Sequence, residues 1–282
     1  MGVEFGAGIR RATQSEAEFR MRRKAVSQGQ CELGCGTLRL MLRVFAILGS
    51  ALVLTGCGSH VERDAPILLF DGRGTSPNDV AAVEQILRDS HLDYATVDSW
   101  RLNAMSEMEL RAHRLLIVPG GNFIVIGKSL NWSTTASIRN AVQGGLNYLG
   151  ICAGAFLGGD GNYNGLNLTS GVKFGFYSAE SRGVRKTAVP ILDAGGGTLD
   201  QYWEDGPELT GWGSVVAKYP DGAPAVVEGA SGNGWVVLSG VHPEAPANWR
   251  RGLTFTTPVE ADHAYAAKLM DAALNRTSLP HF

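Results

Sequence analysis

Charge is scarce in this chain of 282 residues: Asp, Glu, Lys and Arg make up 18% of it, against about a quarter in an average soluble protein. The formal net charge is only −2, and it is unevenly spread. Residues 1–56 hold eight Lys/Arg against four Asp/Glu, a local +4 that leaves −6 on the remainder. An acidic body without a basic stripe excludes nucleic-acid binding as the main task. No apolar run reaches the roughly 20 residues that a membrane-spanning helix requires. The turn at Gly72 and Gly74 lacks the lysine of a phosphate-binding loop and reads as an ordinary turn. Cysteine is limited to Cys31, Cys35, Cys57 and Cys152. The first two, spaced C-x3-C, have no partner pair with which to form a zinc site. What the chain does have is 44% hydrophobic residues and 37 glycines, enough for a folded core with many tight turns.

From Met41 the sequence runs MLRVFAILGSALVLTGCGS, with Arg43 followed by an apolar stretch and then small residues. That is the layout of a secretory signal peptide over residues 41–56. Its end, Leu54-Thr55-Gly56-Cys57, resembles the bacterial lipobox. The resemblance implies cleavage before Cys57 and lipid attachment there, with residues 57–65 as a tether. Residues 1–40 are long, polar and rich in Arg, and read as an over-extended start or a leader, with translation beginning at Met41 or Met21. The mature protein would then keep one lipidated cysteine and one other thiol, Cys152, and no internal disulfide. An unpaired thiol in an oxidising compartment is a liability unless it is buried or useful.

Residues 66–276 alternate strands and helices at the spacing of a parallel sheet with helices on both faces. Strands are expected at Pro66 to Phe70, Tyr94 to Val97 and Leu115 to Val118. Ser76-Pro77 opens a helix, Ser as N-cap and Asp79 in its first turn, with Val80, Val83, Ile86 and Leu87 on its apolar face. A partly helical connection covers Met105 to Ala112, and Thr134 to Gln143 is a helix. The second half changes to short strands, Val172 to Tyr177, Ser214 to Lys218, Ala225 to Glu228 and Trp235 to Leu238, with Asn233-Gly234 as a hairpin marker. The Gly/Asn-rich stretch 158–171 is a loop or a lid. A final amphipathic helix, Val259 to Asn275, is expected to turn Ala264, Ala267, Leu269, Met270 and Leu274 to the sheet. Residues 277–282 are a tail.

The chemistry gathers around Leu146 to Phe156, LNYLGICAGAF. Gly150-Ile151-Cys152-Ala153-Gly154 has the spacing of a nucleophile elbow, where a strand turns sharply into a helix and exposes the central side chain. A buried cysteine is the competing reading of the same five residues. Pro119-Gly120-Gly121 ends the third strand, at the edge where ligands collect in such sheets; it is either a cradle of bare N–H groups or a plain turn.

His242-Pro243-Glu244 follows the last short strand. With LGICAGAF, the VPGG loop and the stretch Tyr202 to Pro207, it makes the chain resemble class I glutamine amidotransferase-like domains, and more narrowly the biotin-protein ligase N-terminal domain-like family. The resemblance covers roughly Ile67 to Ala273. It implies a flavodoxin-like, doubly wound, mostly parallel α/β sheet with an antiparallel extension, and a triad in which Cys152 is the nucleophile, His242 the base and Glu244 its orienter. The N–H groups of Ala153 and of Gly120 or Gly121 would hold an oxyanion. Where the narrower family tends towards a Tyr-Tyr-Asn-Gly-Gly-like stretch, this chain has Trp203, Glu204 and Asp205; the two acids suit either a cationic substrate or a solvated turn.

The expectation is an envelope lipoprotein, facing the periplasm from the outer membrane by mild preference. It would hydrolyse a small amide or peptide-like substrate through a thioester, without metal or cofactor. The alternative is a non-catalytic module that binds a small molecule or a partner in the same pocket. Supply of ammonia to a synthase is the weakest option, since no synthase domain is fused. Biotin ligation itself is not expected, since the chain lacks room for the ligase catalytic domain.

Overall fold

The computed structural model describes residues 65–177 and 182–282. The expectations for residues 1–64, including the signal segment, the Cys57 anchor and the cysteines at 31 and 35, lie outside the described residues.

Short runs of apolar residues set the framework. β1 (Ile67–Phe70) leads to α1 (Pro77–Asp89), β2 (Tyr94–Val97), α2 (Ser99–Ala104), α3 (Glu107–Arg111) and β3 (Leu115–Val118). Then come α4 (Phe123–Ser129), α5 (Trp132–Gln143), β4 (Asn147–Ile151) and α6 (Ala153–Gly158). The second half is β5 (Gly175–Phe176), β6 (Lys186–Asp193), β7 (Gly197–Glu204), β8 (Pro207–Glu208), β9 (Ser214–Lys218), β10 (Pro224–Ser231) and β11 (Gly234–Ser239), closed by α7 (Val259–Asn275). β1, β3 and β4 are buried along their whole length, as strands covered on both faces must be.

Nine strands form one sheet in the order β2-β1-β3-β4-β11-β10-β9-β6-β7. The first five are parallel neighbours; the rest pair antiparallel. With β11 as fifth strand, the parallel part has the flavodoxin-like order 2-1-3-4-5. The fold is thus flavodoxin-like α/β with an antiparallel extension. Strand residues alternate between two cores. Ile67, Leu69, Ile117 and Leu149 pack with α1 and α7. Leu68, Phe70, Leu116 and Tyr148 pack with the helices of the opposite face. This is the two-residue period of a sheet.

Local chemistry explains several boundaries. Ser76 caps α1 by accepting from Asp79 N–H, with Pro77 in the first turn. Ser106 and Glu109 form a reciprocal capping box that starts α3. The β10–β11 pairing closes on Ser231 and Gly234, so the two-residue loop is Gly232-Asn233, one position before the Asn-Gly marker, with Gly232 at φ 61°.

Other expectations shift. Between 172 and 177 only Gly175–Phe176 is strand. The β6–β7 hairpin carried no clean sequence signal. Its Pro190 is tolerated because β6 meets β9 only at Leu192 and Asp193, which leaves one side of Pro190 without a ladder partner. On α7 the buried face runs through Tyr265, Ala266, Leu269, Met270 and Ala273, and Ala264 is exposed. The tail is tied down: the buried Glu228 carboxylate accepts from Ser278 Oγ and Leu279 N–H, each at 2.8 Å. Among the described residues no helix is long and apolar enough to cross a membrane.

Candidate active site

The carboxyl ends of β1, β3, β4 and β11 converge, and each sends one residue to the same place. Asp79 comes from the first turn of α1, Gly121 from the loop after β3, Cys152 from the β4–α6 junction and His242 from the loop after β11. All four line a cavity of about 720 Å³, within the range of pockets that enclose small ligands.

Cys152 stands between strand and helix at φ 49°, ψ −101°. Such a conformation costs a non-glycine residue roughly 1–3 kcal/mol and persists only where the surroundings impose it. Here two glycines let strand and helix close together. A Cβ at Gly154 would lie 1.9 Å from the Val118 carbonyl oxygen, and one at Gly150 would lie 2.5 Å from the Gly154 oxygen. Cys152 is 6% exposed, and its thiol donates to the Glu204 carbonyl at 3.6 Å.

His242 and Glu244 are buried, at 4% and 1% exposure. His242 Nδ1 lies 2.9 Å from Glu244 Oε1 and 3.2 Å from Asp79 Oδ1. One ring N–H cannot serve two acceptors well. The hydrogen bond goes to Glu244, and Asp79 Oδ1 is left without one. Burial opposes a charge on the imidazole, but the neighbouring Cys152 sulfur and the carboxylates of Glu244 and Asp79 outweigh it and hold the His242 pKa well above its ordinary value. Burial raises the Glu244 carboxyl, against the pull of His242. Asp79, His242 and Glu244 also offer ligand-type atoms within 4.8 Å of one another. Both carboxylates meet the same ring nitrogen, and the Glu244 hydrogen bond occupies it.

The two glycines after β3 differ. A Cβ on Gly120 would fall 2.0 Å from Asp79 Oδ1 and 2.7 Å from His242 Cε1, so its bareness makes room for that pair. Gly121 lines the cavity, as does Ala153 at the start of α6. The bridge between Thr75 and Gly121 uses the N–H groups of Ser76 and Asn122 and not that of Gly121. Ala153 N–H, in the first helical turn, has no intrahelical acceptor.

Residues that sequence reasoning did not assign complete the site. Asp79 read only as a helix-dipole acid; its place just after β1, at the strand ends where ligands gather, was the available signal. His242 N–H donates to Tyr202 O at 2.8 Å, which brings the end of β7 over the cavity. The Tyr202 hydroxyl donates to Glu204 Oε2 at 2.5 Å, and burial together with that carboxylate raises the Tyr202 pKa. Asp205 pairs with Arg185. The two acids of the Trp-Glu-Asp stretch are thus both engaged within the chain. Trp203 is fully buried in the core.

The loop after Ala245 carries Trp249, whose ring meets His242 at 5.8 Å and Tyr202 at 5.4 Å between centroids. Arg250 anchors this loop by donating to the Thr257 carbonyl at 2.8 Å and to Asp262 on α7. Burial pushes the Asp262 carboxyl up from 3.8 to about 7, with Arg250 pulling the other way. A carboxyl with a raised folded-state pKa binds its proton more tightly when folded. Its stabilising contribution is full below the unfolded value and is lost as pH rises towards about 7. Urea unfolding from pH 4 to pH 7 is expected to show stability falling in wild type relative to Asp262→Asn, and the difference flattening above about pH 7; a pH-independent difference would contradict this.

Residues 65–185 match the family described as biotin-protein ligase, N terminal. The matched region contains Asp79, Gly121 and Cys152 and stops before His242 and Glu244. No curated protein matches the chain. Among solved structures, it is similar to a glutamine amidotransferase from Thermotoga maritima, at 12% identity and TM-score 0.46, over 74% of this chain and 97% of that one. It is also similar to a putative GMP synthase component from Thermoplasma acidophilum, at 15% identity and TM-score 0.45, over 75% and 96%. The likeness to the exo-beta-1,4-mannosidase Op5Man5 from Opitutaceae bacterium strain TAV5, at 14% identity and TM-score 0.48, covers 74% of this chain and only 36% of that enzyme's length. Likenesses this distant carry no argument about activity.

Proposed function

We propose that the domain is a class I glutamine amidotransferase-like amide hydrolase with Cys152 as nucleophile, His242 as acid and base, and Glu244 as orienter of the imidazole. One observation carries the reading: a cysteine held at φ 49° on a strand-to-helix turn shares a cavity with a buried histidine whose Nδ1 is fixed 2.9 Å from a buried glutamate. The family match over residues 65–185 supports it.

On this reading the thiol proton passes to His242, and a thiolate is the reactive form of cysteine. Sulfur attacks the amide carbon, and the carbonyl electron pair moves to oxygen. Ala153 N–H and Gly121 N–H hold that oxyanion. The imidazolium gives its proton to the departing nitrogen, the C–N bond breaks and an amine leaves. Water then attacks the thioester while His242 takes its proton. The acid leaves and the thiol is restored. Glu244 keeps Nδ1 protonated so that Nε2 does the work, and Asp79 adds a second negative charge that favours the imidazolium.

Asp79→Asn is therefore expected to lower kcat about tenfold, the worth of roughly one pKa unit, with KM little changed and the pH–rate profile displaced. A loss of folded protein without a profile change would assign Asp79 a packing role only. The whole reading is tested by incubating the protein with an amide panel and trapping the acyl group on Cys152 with hydroxylamine. Hydroxamate from wild type and none from Cys152→Ala is the expected result; equal yields from both would overturn it.

The lipid anchor at Cys57 belongs to the same proposal and puts the activity in the bacterial envelope. Cys57→Ala is expected to move the protein from the membrane to the soluble fraction, and unchanged fractionation would refute the anchor. A second reading, a pocket that binds a ligand or partner without turnover, draws on the thiol being 6% exposed and bonded to the Glu204 carbonyl. It predicts ligand binding that survives Cys152→Ala.

A further inference from the structure

The cavity walls beside Cys152 are aromatic. Phe156, one turn along α6 from the cysteine, stacks on Phe123 with ring centroids 4.6 Å apart. Phe176 stands edge-on to both, at 5.0 and 6.2 Å, and is 44% exposed. Tyr202 and Trp249 line the same cavity beside His242. A half-exposed phenylalanine in a cavity wall leaves apolar area that a ligand would cover with gain.

Each carboxylate of the cavity has a neighbour within the chain. Asp79 faces His242, Glu204 accepts from the Tyr202 hydroxyl and stands opposite Lys186 in the β6–β7 register, and Asp205 pairs with Arg185. An amino-acid amide such as glutamine brings an ammonium group that needs a free acid, and an unpaired ammonium is costly to enclose. Arg251 also lines the cavity and adds positive charge that disfavours a cationic group.

We propose that the acyl group accepted here is aromatic or arylalkyl and carries no ammonium: the substrate is an amide of an aryl-substituted acid, its ring against Phe123, Phe156 and Phe176 and its carbonyl at Cys152. This rests on the nucleophile reading above and narrows it.

The test compares two chloromethyl ketones on the full domain, one bearing a phenylethyl group and one bearing an α-amino acid side chain of glutamine length. In both, the Cys152 sulfur bonds to the chloromethyl carbon and chloride leaves with the C–Cl electron pair, while the thiol proton stays on His242. Iodoacetamide, small and uncharged, reports thiol reactivity alone. The phenylethyl ketone is expected to react at least about tenfold faster than the glutamine-like one, a difference of 1.4 kcal/mol. The ratio of its rate to that of iodoacetamide is expected to fall about tenfold in Phe176→Ala and to recover in Phe176→Tyr. Trp249→Ala gives an independent reading of the opposite wall should Phe176→Ala not fold. If iodoacetamide reacts and the glutamine-like ketone matches or exceeds the aryl one, the substrate class is wrong and the nucleophile stands. If no reagent labels Cys152, the nucleophile reading fails and this inference falls with it.

Discussion

Cys152→Ala is expected to abolish amide hydrolysis, with kcat falling at least about a thousandfold, the scale on which removal of a covalent nucleophile acts. The effect follows from the division of labour in the site. Without sulfur no thioester forms, and the oxyanion donors and imidazole have no covalent step to assist. The fold itself should tolerate the change, since alanine removes one atom from a side chain that lines a cavity. Steady-state kinetics on the amide that acylates wild type, paired with thermal unfolding, separates the two. Full activity in the alanine protein would remove Cys152 from the mechanism. Loss of activity together with loss of fold would call for Cys152→Ser as the arbiter.

The largest effect on stability is expected at Gly154. An added methyl there would stand 1.9 Å from the Val118 carbonyl oxygen and 3.1 Å from the Val118 Cβ, and the nearest obstacle is backbone, which cannot rotate away. The helix after the cysteine must then shift from β3, or β3 from its neighbours. Gly154→Ala is expected to cost about 3 kcal/mol or more, at the high end of overpacking effects, and to lower iodoacetamide labelling of the remaining folded protein, because the elbow geometry depends on the same contact. Chemical denaturation checks the first part and intact-mass labelling the second. A variant as stable as wild type would mean that helix and strand are not held as closely as this packing requires.

The two glycines also explain what was legible in the sequence. The five-residue pattern around Cys152 could be read because close approach leaves a compositional mark: only glycine fits at 150 and 154. The parallel strands were legible for a similar reason, as continuous apolar runs such as Leu115 to Val118 are what burial on both faces demands. The β6–β7 hairpin was not, since β6 is half-exposed and interrupted by Pro190, and its place is set by pairing with β7 rather than by its own pattern. The buried face of α7 departs from the sequence pattern at Ala264, because small residues all around that helix give little contrast from which to fix its rotation.

In the site, His242 and Glu244 could be picked out because they stand two residues apart beside a strand end. Asp79 could not, being 163 positions from His242 in the chain. Its role depends on the β2-β1-β3-β4-β11 order, which brings the ends of β1 and β11 to one cavity. The aromatic wall is assembled likewise from α4, α6 and β5, each of which offered a single phenylalanine that reads as core. In the sequence, Glu204 and Asp205 fit either a cation-binding pair or a solvated turn. The structure gives each a partner within the chain, Tyr202 and Arg185.

The most direct test of the central claim, that Cys152 and His242 act as one unit, is the rate of iodoacetamide alkylation of Cys152 from pH 5 to pH 9, in wild type and in His242→Gln. Wild type is expected to be alkylated at pH 6 far faster than its urea-unfolded chain, and His242→Gln to lose about a hundredfold of that rate at pH 6 while approaching wild type at pH 9. Folded wild type that reacts no faster than the unfolded chain, with a profile unchanged by His242→Gln, would contradict it.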